Sequence, residues 1–332
     1  MNSITLPTWS RAYGVPLFAA RLRTVPEDFQ VTEQLGWGLS GDGEHDYLWV
    51  EKTNANTEWV AQQLALYADV PVKDVGFAGL KDRHAVTQQW FSVPRWNSPN
   101  WNGLGVEGVR VADTKRHQRK LRRGAHRGNA FQIILRHDEV IAADAVVDRL
   151  TLISKEGVPN YYGEQRFGRG GGNLRLANDW AMGKRLPRHK RSLAISTVRS
   201  FLFNEALTQR VQNSTWNHFI PGDVANLNGT GSVFDVQEID DELRRRCDEM
   251  DIHPAGILAG EGSNIEPEIW QSALNKRRVE PGTRSLRLPV RDLTCAFSET
   301  SMALAFTLDR GAFATAVLRE LCDVITEPGT AV

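Results

Sequence analysis

The chain reads as an α+β protein in which one domain is interrupted by another. Three observations carry that expectation. Strand-like alternation occupies both ends of the sequence, around residues 29–33, 87–93 and 131–135 and again across 285–308. Helical periodicity dominates the middle. The 332 residues are enough for about two domains, and a hydrophobic fraction of 41% supports a soluble core. The expected division is a first domain in two pieces, 1–156 and 284–332, with an inserted α+β domain at 157–283. No internal repeat or low-complexity segment interrupts the pattern.

Pro26-Glu27-Asp28 reads as a turn that opens a strand: Phe29, Val31 and Glu33 share one face, Gln30 and Thr32 the other. Tyr47–Glu51 is expected as a second strand. Asn56 or Thr57 is placed to cap a helix with Trp59, Val60, Gln63, Leu64 and Tyr67 on one side. The apolar stretch Val75–Ala78 is strand-like. The pattern returns at Thr87–Val93 and, entered through Gly128-Asn129-Ala130, at Phe131–Leu135. Ala142–Lys155 has helical spacing, with Val146, Val147, Leu150 and Ile153 on one stripe and Gly157 and Pro159 as the stop. Five glycines follow between Gly163 and Gly172, interleaved with Arg166 and Arg169. A long helix is expected over Ser192–Gln212, then a polar, acidic stretch of weak periodicity. Ser285–Leu288, Leu293–Phe297 and Met302–Leu308 read as strands. A final helix from Ala312 carries Phe313, Val317, Leu318 and Leu321.

Composition narrows the chemistry. No stretch approaches the roughly 20 apolar residues of a membrane span, and Met1-Asn2-Ser3-Ile4-Thr5-Leu6-Pro7 lacks the charged start and apolar core of a secretory signal. Cys247, Cys295 and Cys322 are odd in number and far apart, which points to a reducing cytoplasm rather than a disulfide framework or a zinc site. The eight histidines show no metal-ligand clustering, so a metal-free protein is expected. Net charge is zero, with 40 basic and 40 acidic side chains, yet the charges are segregated. Lys115–Arg127 holds seven Lys/Arg among thirteen residues, Lys184–Arg191 is a second basic run, and acid gathers at Asp235–Asp251. Each basic run is either an ordinary solvated surface or a face that neutralises phosphates. The pair of runs around the glycine-rich segment favours a polynucleotide.

The run from Gly76 to Trp90 carries the most chemistry. An apolar stretch ends in Gly79-Leu80-Lys81-Asp82, and the chain becomes apolar again at Ala85. Asp82 taken alone is either a turn residue, a common use of aspartate, or a carboxylate aimed into a cleft as nucleophile or base. Lys81 is a possible cationic partner for it, or a side chain that points away. A cation beside a carboxylate favours the ionised form.

The motifs decide between these readings. Gly79-Leu80-Lys81-Asp82-Arg83-His84-Ala85-Val86-Thr87-Gln88-Gln89-Trp90 closely resembles the catalytic motif of the TruD family of tRNA pseudouridine synthases. Pro26-Glu27-Asp28-Phe29-Gln30-Val31-Thr32-Glu33 is similar to the family's P-E-D-F-x-V-x-E element. Lys115-Arg116-His117-Gln118-Arg119-Lys120-Leu121-Arg122 with Gly128-Asn129-Ala130-Phe131 resembles its R-H-x-x-K-L-R…G-N-x-F element. Gly157-Val158-Pro159-Asn160-Tyr161-Tyr162-Gly163-Glu164-Gln165-Arg166-Phe167-Gly168 resembles G-V-P-N-Y-F-G-x-Q-R-F-G. Shorter elements at Arg199–Asn204 and Gly311–Thr315 follow in the same order. No motif is recognisable between about Asn213 and Gly282.

The resemblance implies a catalytic domain on a mixed, largely antiparallel sheet, interrupted by the family's own inserted domain. It implies a cofactor-free isomerisation of uridine to pseudouridine at position 13 of tRNA(Glu). Asp82 would attack the sugar or assist through a glycal route. Phe29, Asn129 and Phe313 correspond to substrate-contacting positions, and Phe131 to an aromatic that stacks on the target base. Lys81 joins the substrate-binding set. A flipped base needs an aromatic face and an amide or backbone donor, and phenylalanine and asparagine provide both. Core packing would account equally well for Phe131 and Phe313.

Arg119, Lys120, Arg122, Arg123, Arg166 and Arg169 are the candidate contacts to RNA backbone. Gly168-Arg169-Gly170-Gly171-Gly172-Asn173 lacks the Lys-Ser/Thr of a nucleotide-binding loop, so it reads as a loop approaching RNA or as a domain hinge, not as an ATP site. No feature points to an obligate protein partner. The competing function is a non-catalytic RNA-binding protein or RNA chaperone on the same basic surface. Binding alone, however, gives no reason to place a carboxylate beside an RNA backbone.

Overall fold

The alternation read at residues 29–33 becomes an inward and an outward row. In the computed structural model, which describes residues 6–97 and 99–325, the strand Phe29–Gln34 buries Phe29, Val31 and Glu33 and leaves Gln30, Thr32 and Gln34 half-buried. The N-terminal reading at Met1–Thr5 and the end of the expected last segment, 326–332, lie outside the described residues.

The chain divides into two units. One comprises Leu17–Val147, Val290–Gly311 and the chain from Cys322 onward; the other comprises the chain up to Pro16, Asp148–Pro289 and Ala312–Leu321. The boundaries between these compact units fall after 147 and 289, and two short pieces near the ends belong with the middle of the chain. Side-chain packing explains why. Trp9 sits among Tyr161, Phe167 and Phe201 with ring centroids 5.6–6.2 Å apart. The Glu320 carboxylate accepts the Ala12 N–H at 2.8 Å, and Arg319 donates to the Trp9 carbonyl at 2.7 Å.

Among the described residues, the first unit carries a ten-stranded mixed sheet. Its main path runs Arg291–Phe297, Ser301–Asp309, Gly128–Arg136, Phe29–Gln34, Val86–Pro94, His45–Thr53, Val109–His117. Ala19–Leu22, Asp323–Ile325 and Gly76–Phe77 pair off this path. Neighbours are antiparallel except Phe29–Gln34 with Val86–Pro94 and Ala19–Leu22 with Asp323–Ile325. The helix Thr57–Ala68 covers one end of the sheet, where Val60, Leu64 and Ala65 pack with Leu48, Val50, Phe77 and Phe91. Its buried stripe is Thr57, Val60, Ala61, Leu64, Ala65 and Ala68; Trp59 and Tyr67, expected on the same side as Val60 and Leu64, are partly exposed. In the helix Ala143–Glu156, Val147 likewise turns out while Val146, Leu150 and Ile153 are buried.

The second unit holds a four-stranded antiparallel sheet in the order Val233–Asp235, Val224–Leu227, Ile252–Leu258, Gly282–Ser285. Its helices are Gly172–Ala181, Arg188–Gln212, Asp241–Asp248, Glu268–Lys276 and Ala314–Leu321. Trp180, Phe203, Leu207, Trp216, Trp270 and Leu286 form its main core. The expected strand over 285–288 is divided: Gly282–Ser285 joins the four-stranded sheet, while Arg287–Leu288 pairs with Val158–Pro159. Strands of three or four residues with exposed side chains, such as Val233–Asp235, offer no period-two signal, so the motif-poor segment showed little of this sheet. No described helix is long and apolar enough to cross a membrane.

Candidate active site

Strand alternation fixes which side chains gather. Side chains two residues apart share a sheet face. Phe29 pairs with Ile133, Val31 with Phe131 and Glu33 with Asn129, so Phe29, Glu33, Asn129 and Phe131 lie on one face. The same row continues from Val31 to Thr87 and from Thr87 to Lys52. The turn before Phe29 is fixed by Asp28, fully buried, whose carboxylate accepts two hydrogen bonds from Arg136 at 2.7 and 2.9 Å. Such a fork is strong and directional.

Asp82 follows the two-residue strand Gly76–Phe77. Gly76 is required there, since a Cβ would collide with the Leu121 carbonyl and the Ser92 hydroxyl. The loop is then held from three sides. Thr57 Oγ1 accepts the Lys81 N–H at 3.0 Å, and Gln89 Nε2 donates to the Gly79 carbonyl at 3.1 Å. Lys52 Nζ donates to the Asp82 carbonyl at 2.8 Å. Thr57 opens the helix Thr57–Ala68, but its hydroxyl serves this loop, and the preceding Asn56 makes no side-chain cap bond.

The cation on the Asp82 carboxylate is Arg23. Its Nη2 lies 3.1 Å from Asp82 Oδ1, with the Asp82 side chain one-third exposed. The guanidinium carbon also sits 4.0 Å over the Phe29 ring. Arg23 has φ 61°, a left-handed conformation that costs a non-glycine residue about 1–3 kcal/mol. Lys81 has a different partner. Its Nζ is 2.7 Å from Glu33 Oε2 in a buried pair, and Glu33 Oε1 accepts the Trp90 N–H at 3.2 Å. Burial pushes the Glu33 carboxyl above its usual range, and Lys81 opposes that rise. The buried His126 lies beside this pair, and burial together with Lys81 and Arg310 pulls its imidazole down to about 4, so it is neutral at pH 7.

Asn129 is buried, and its Oδ1 has no hydrogen-bond partner among the described residues. A buried amide oxygen in that state is a ready acceptor for an incoming N–H. Phe131 stacks on Phe306 with centroids 5.3 Å apart and meets Phe29 at 6.1 Å, so protein packing accounts for its position. The arrangement thus places a partly exposed carboxylate with a fixed cation beside a buried aromatic cluster and a buried amide acceptor.

A family model described as tRNA pseudouridine synthase D (TruD) matches residues 11–177 and 174–321. The chain is 44% identical over 337 residues to a protein of Methylococcus capsulatus named tRNA pseudouridine synthase D, covering 94% of each chain. A protein of the same name from Nitrosococcus oceani is 44% identical over 333 residues, covering 93% of each. The chain belongs to the TruD family. A crystal structure of a proposed tRNA pseudouridine synthase D from Methanosarcina mazei shares the fold, with a TM-score of 0.72 at 18% identity and 96% of each chain covered.

On this TruD chain, Asp82, Lys81, Phe29, Asn129 and Phe131 all fall in the unit that carries the large sheet, as do Arg119, Lys120, Arg122 and Arg123. Phe313, Arg166 and Arg169 belong to the other unit. Phe313 stands just before the helix Ala314–Leu321, with its ring 6.2 Å from Tyr162; Arg284 and Arg166 approach the same Tyr162 ring at 4.2 and 5.3 Å. Among the four basic residues, Arg123 lies 3.7 Å over Phe77 and 3.4 Å from Glu58, and Lys120 donates to the Lys73 carbonyl. Arg119 and Arg122 are exposed.

Sequence reasoning assigned no role to Arg23, Glu33, Lys52 or His126. For two of them a signal existed. Glu33 and Lys52 fall at inward positions of alternating strands, after Phe29-x-Val31 and Leu48-x-Val50. A charge at such a position needs a partner in the interior.

Proposed function

We propose that this TruD-family tRNA pseudouridine synthase isomerises the uridine at position 13 of tRNA(Glu), with Asp82 as nucleophile or base and no cofactor. The carrying observation is the Asp82 carboxylate itself, partly exposed beside Arg23 on the face that also bears Phe29 and Asn129. The reaction breaks the C1′–N1 bond, turns the base and joins C5 to C1′. C5 loses a proton and N1 gains one, so nothing is consumed. Asp82 either attacks C1′ or removes the C2′ proton on a glycal route. The Asn129 amide is suited to reading the polar edge of the base, and the Phe29 ring to contacting an extruded nucleotide.

Replacing Asp82 by Asn tests this reading. Pseudouridine at position 13 of tRNA(Glu) should disappear, while tRNA affinity stays within a few-fold. An Asn variant that isomerises at the wild-type rate would refute the catalytic role. A cytoplasmic location fits a tRNA substrate, and fractionation would check it.

A further inference from the structure

The interior of the large-sheet unit contains a second buried lysine that the chemistry above does not use. Lys52 is fully buried on the strand His45–Thr53, at an inward position between the helix Thr57–Ala68 and the loop that carries Asp82. Lys81 is neutralised by Glu33. Among the described residues, Lys52 has no carboxylate within ion-pair distance; its Nζ donates instead to the carbonyls of Ala55 at 2.7 Å and Asp82 at 2.8 Å. A buried ammonium on two backbone carbonyls is a costly way to close a turn, since water or an amide side chain would satisfy the same acceptors. What a lysine adds is a long charged tether, its flexible stem held in place by burial and by the two carbonyls. It runs from a central strand, one pairing step from Thr87 and two from Val31, to the backbone of Asp82.

We propose that Lys52 is a positioning residue for the reaction at Asp82. It clamps the Asp82 carbonyl to the sheet and thereby sets the height and direction of the Asp82 carboxylate relative to Phe29 and Asn129. Displacing a reacting group by about an ångström costs on the order of a hundredfold in rate. Burial lowers the Lys52 ammonium to about 8, with Lys81 adding to that effect and Asp82 opposing it, so the group is mostly protonated at neutral pH. The inference rests on Asp82 as the catalytic carboxylate.

The test compares wild type with Lys52→Met, Lys52→Arg and Asp82→Asn in thermal melting, tRNA affinity, steady-state kinetics and single-turnover pseudouridine formation. Lys52→Met should melt cooperatively, keep its tRNA affinity and KM within threefold, and lose about a hundredfold in kcat and single-turnover rate. Lys52→Arg, which can donate to the same two carbonyls, should recover at least tenfold of that loss. A folded Lys52→Met with kcat within threefold of wild type overturns the proposal. So does a Lys52→Arg no faster than Lys52→Met. Should Lys52→Met fail to fold, Lys52→Ala, which also has no side-chain donor, takes its place with the same readings. An active Asp82→Asn would remove the catalytic reading itself, whereas an inactive Asp82→Asn beside a fully active Lys52→Met would remove only the role of Lys52.

Discussion

Arg23 and Asp82 form the ion pair at the candidate site, 3.1 Å apart, and the same guanidinium covers the Phe29 ring at 4.0 Å. One side chain therefore couples the carboxylate to the aromatic surface beside it. Arg23→Met should lower kcat by about a hundredfold and leave tRNA affinity within threefold, because the arginine acts on the carboxylate's orientation. Arg23→Lys should fall between the two, since lysine keeps the charge but not the planar face on Phe29. Steady-state kinetics with tRNA transcripts would check both; a Met variant at full kcat would contradict the coupling.

The Glu33–Lys81 pair makes a different prediction. Both side chains are almost fully buried, so removing one partner strands a charge. Lys81→Met should destabilise the protein by about 3–5 kcal/mol in urea unfolding. A Glu33→Leu, Lys81→Met double variant should recover most of that loss. Equal destabilisation in single and double variants would show that packing, rather than charge, holds this part of the sheet.

His126 sets a pH dependence. Its imidazole takes up a proton near 6.5 when unfolded and only at about 4 when folded. Between those values the unfolded chain binds more protons, so stability falls as pH drops from 6.5 towards 4 and is unaffected by this group above that window. The contribution is on the order of 1–3 kcal/mol. His126→Leu should flatten the pH dependence of the melting temperature across that range. An unchanged slope would place the acid sensitivity elsewhere.

The basic loop separates into two pairs. Arg123 and Lys120 already engage Phe77, Glu58 and the Lys73 carbonyl, whereas Arg119 and Arg122 are exposed. Arg119→Ala with Arg122→Ala should reduce the log–log salt slope of tRNA binding by roughly 1.4–1.8, at about 0.7–0.9 per phosphate contact. Arg123→Ala should act mainly on thermal stability. A slope unchanged in the Arg119, Arg122 variant would make this loop an ordinary solvated surface.

Much of the first unit was legible because its strands alternate cleanly. Phe29, Val31 and Glu33 predicted their own burial, and the helix over 57–68 followed from its spacing. The strand Val109–His117 was hidden, since it is an edge strand with most of its side chains in solvent. The exposed edge strand at 233–235 failed for the same reason, and the strand at 224–227, though internal to its sheet, is too short to show a period. The helix at 57–68 also showed that period alone does not select the buried stripe: Ala61, Ala65 and Ala68 are buried, and the larger Trp59 and Tyr67 are turned outward.

By itself the sequence determined the family, singled out Asp82 as the candidate carboxylate and gave the strand that carries Phe29, because these are local patterns: a motif, a turn and a period of two. Only the tertiary structure decided who partners whom. Asp82 sits next to Lys81 in the chain, yet Lys81 goes to Glu33 and Asp82 is met by Arg23. The reason is geometric. Glu33 enters the interior on an alternating strand and must find a buried cation, which leaves the Asp82 carboxylate to an arginine that approaches over Phe29.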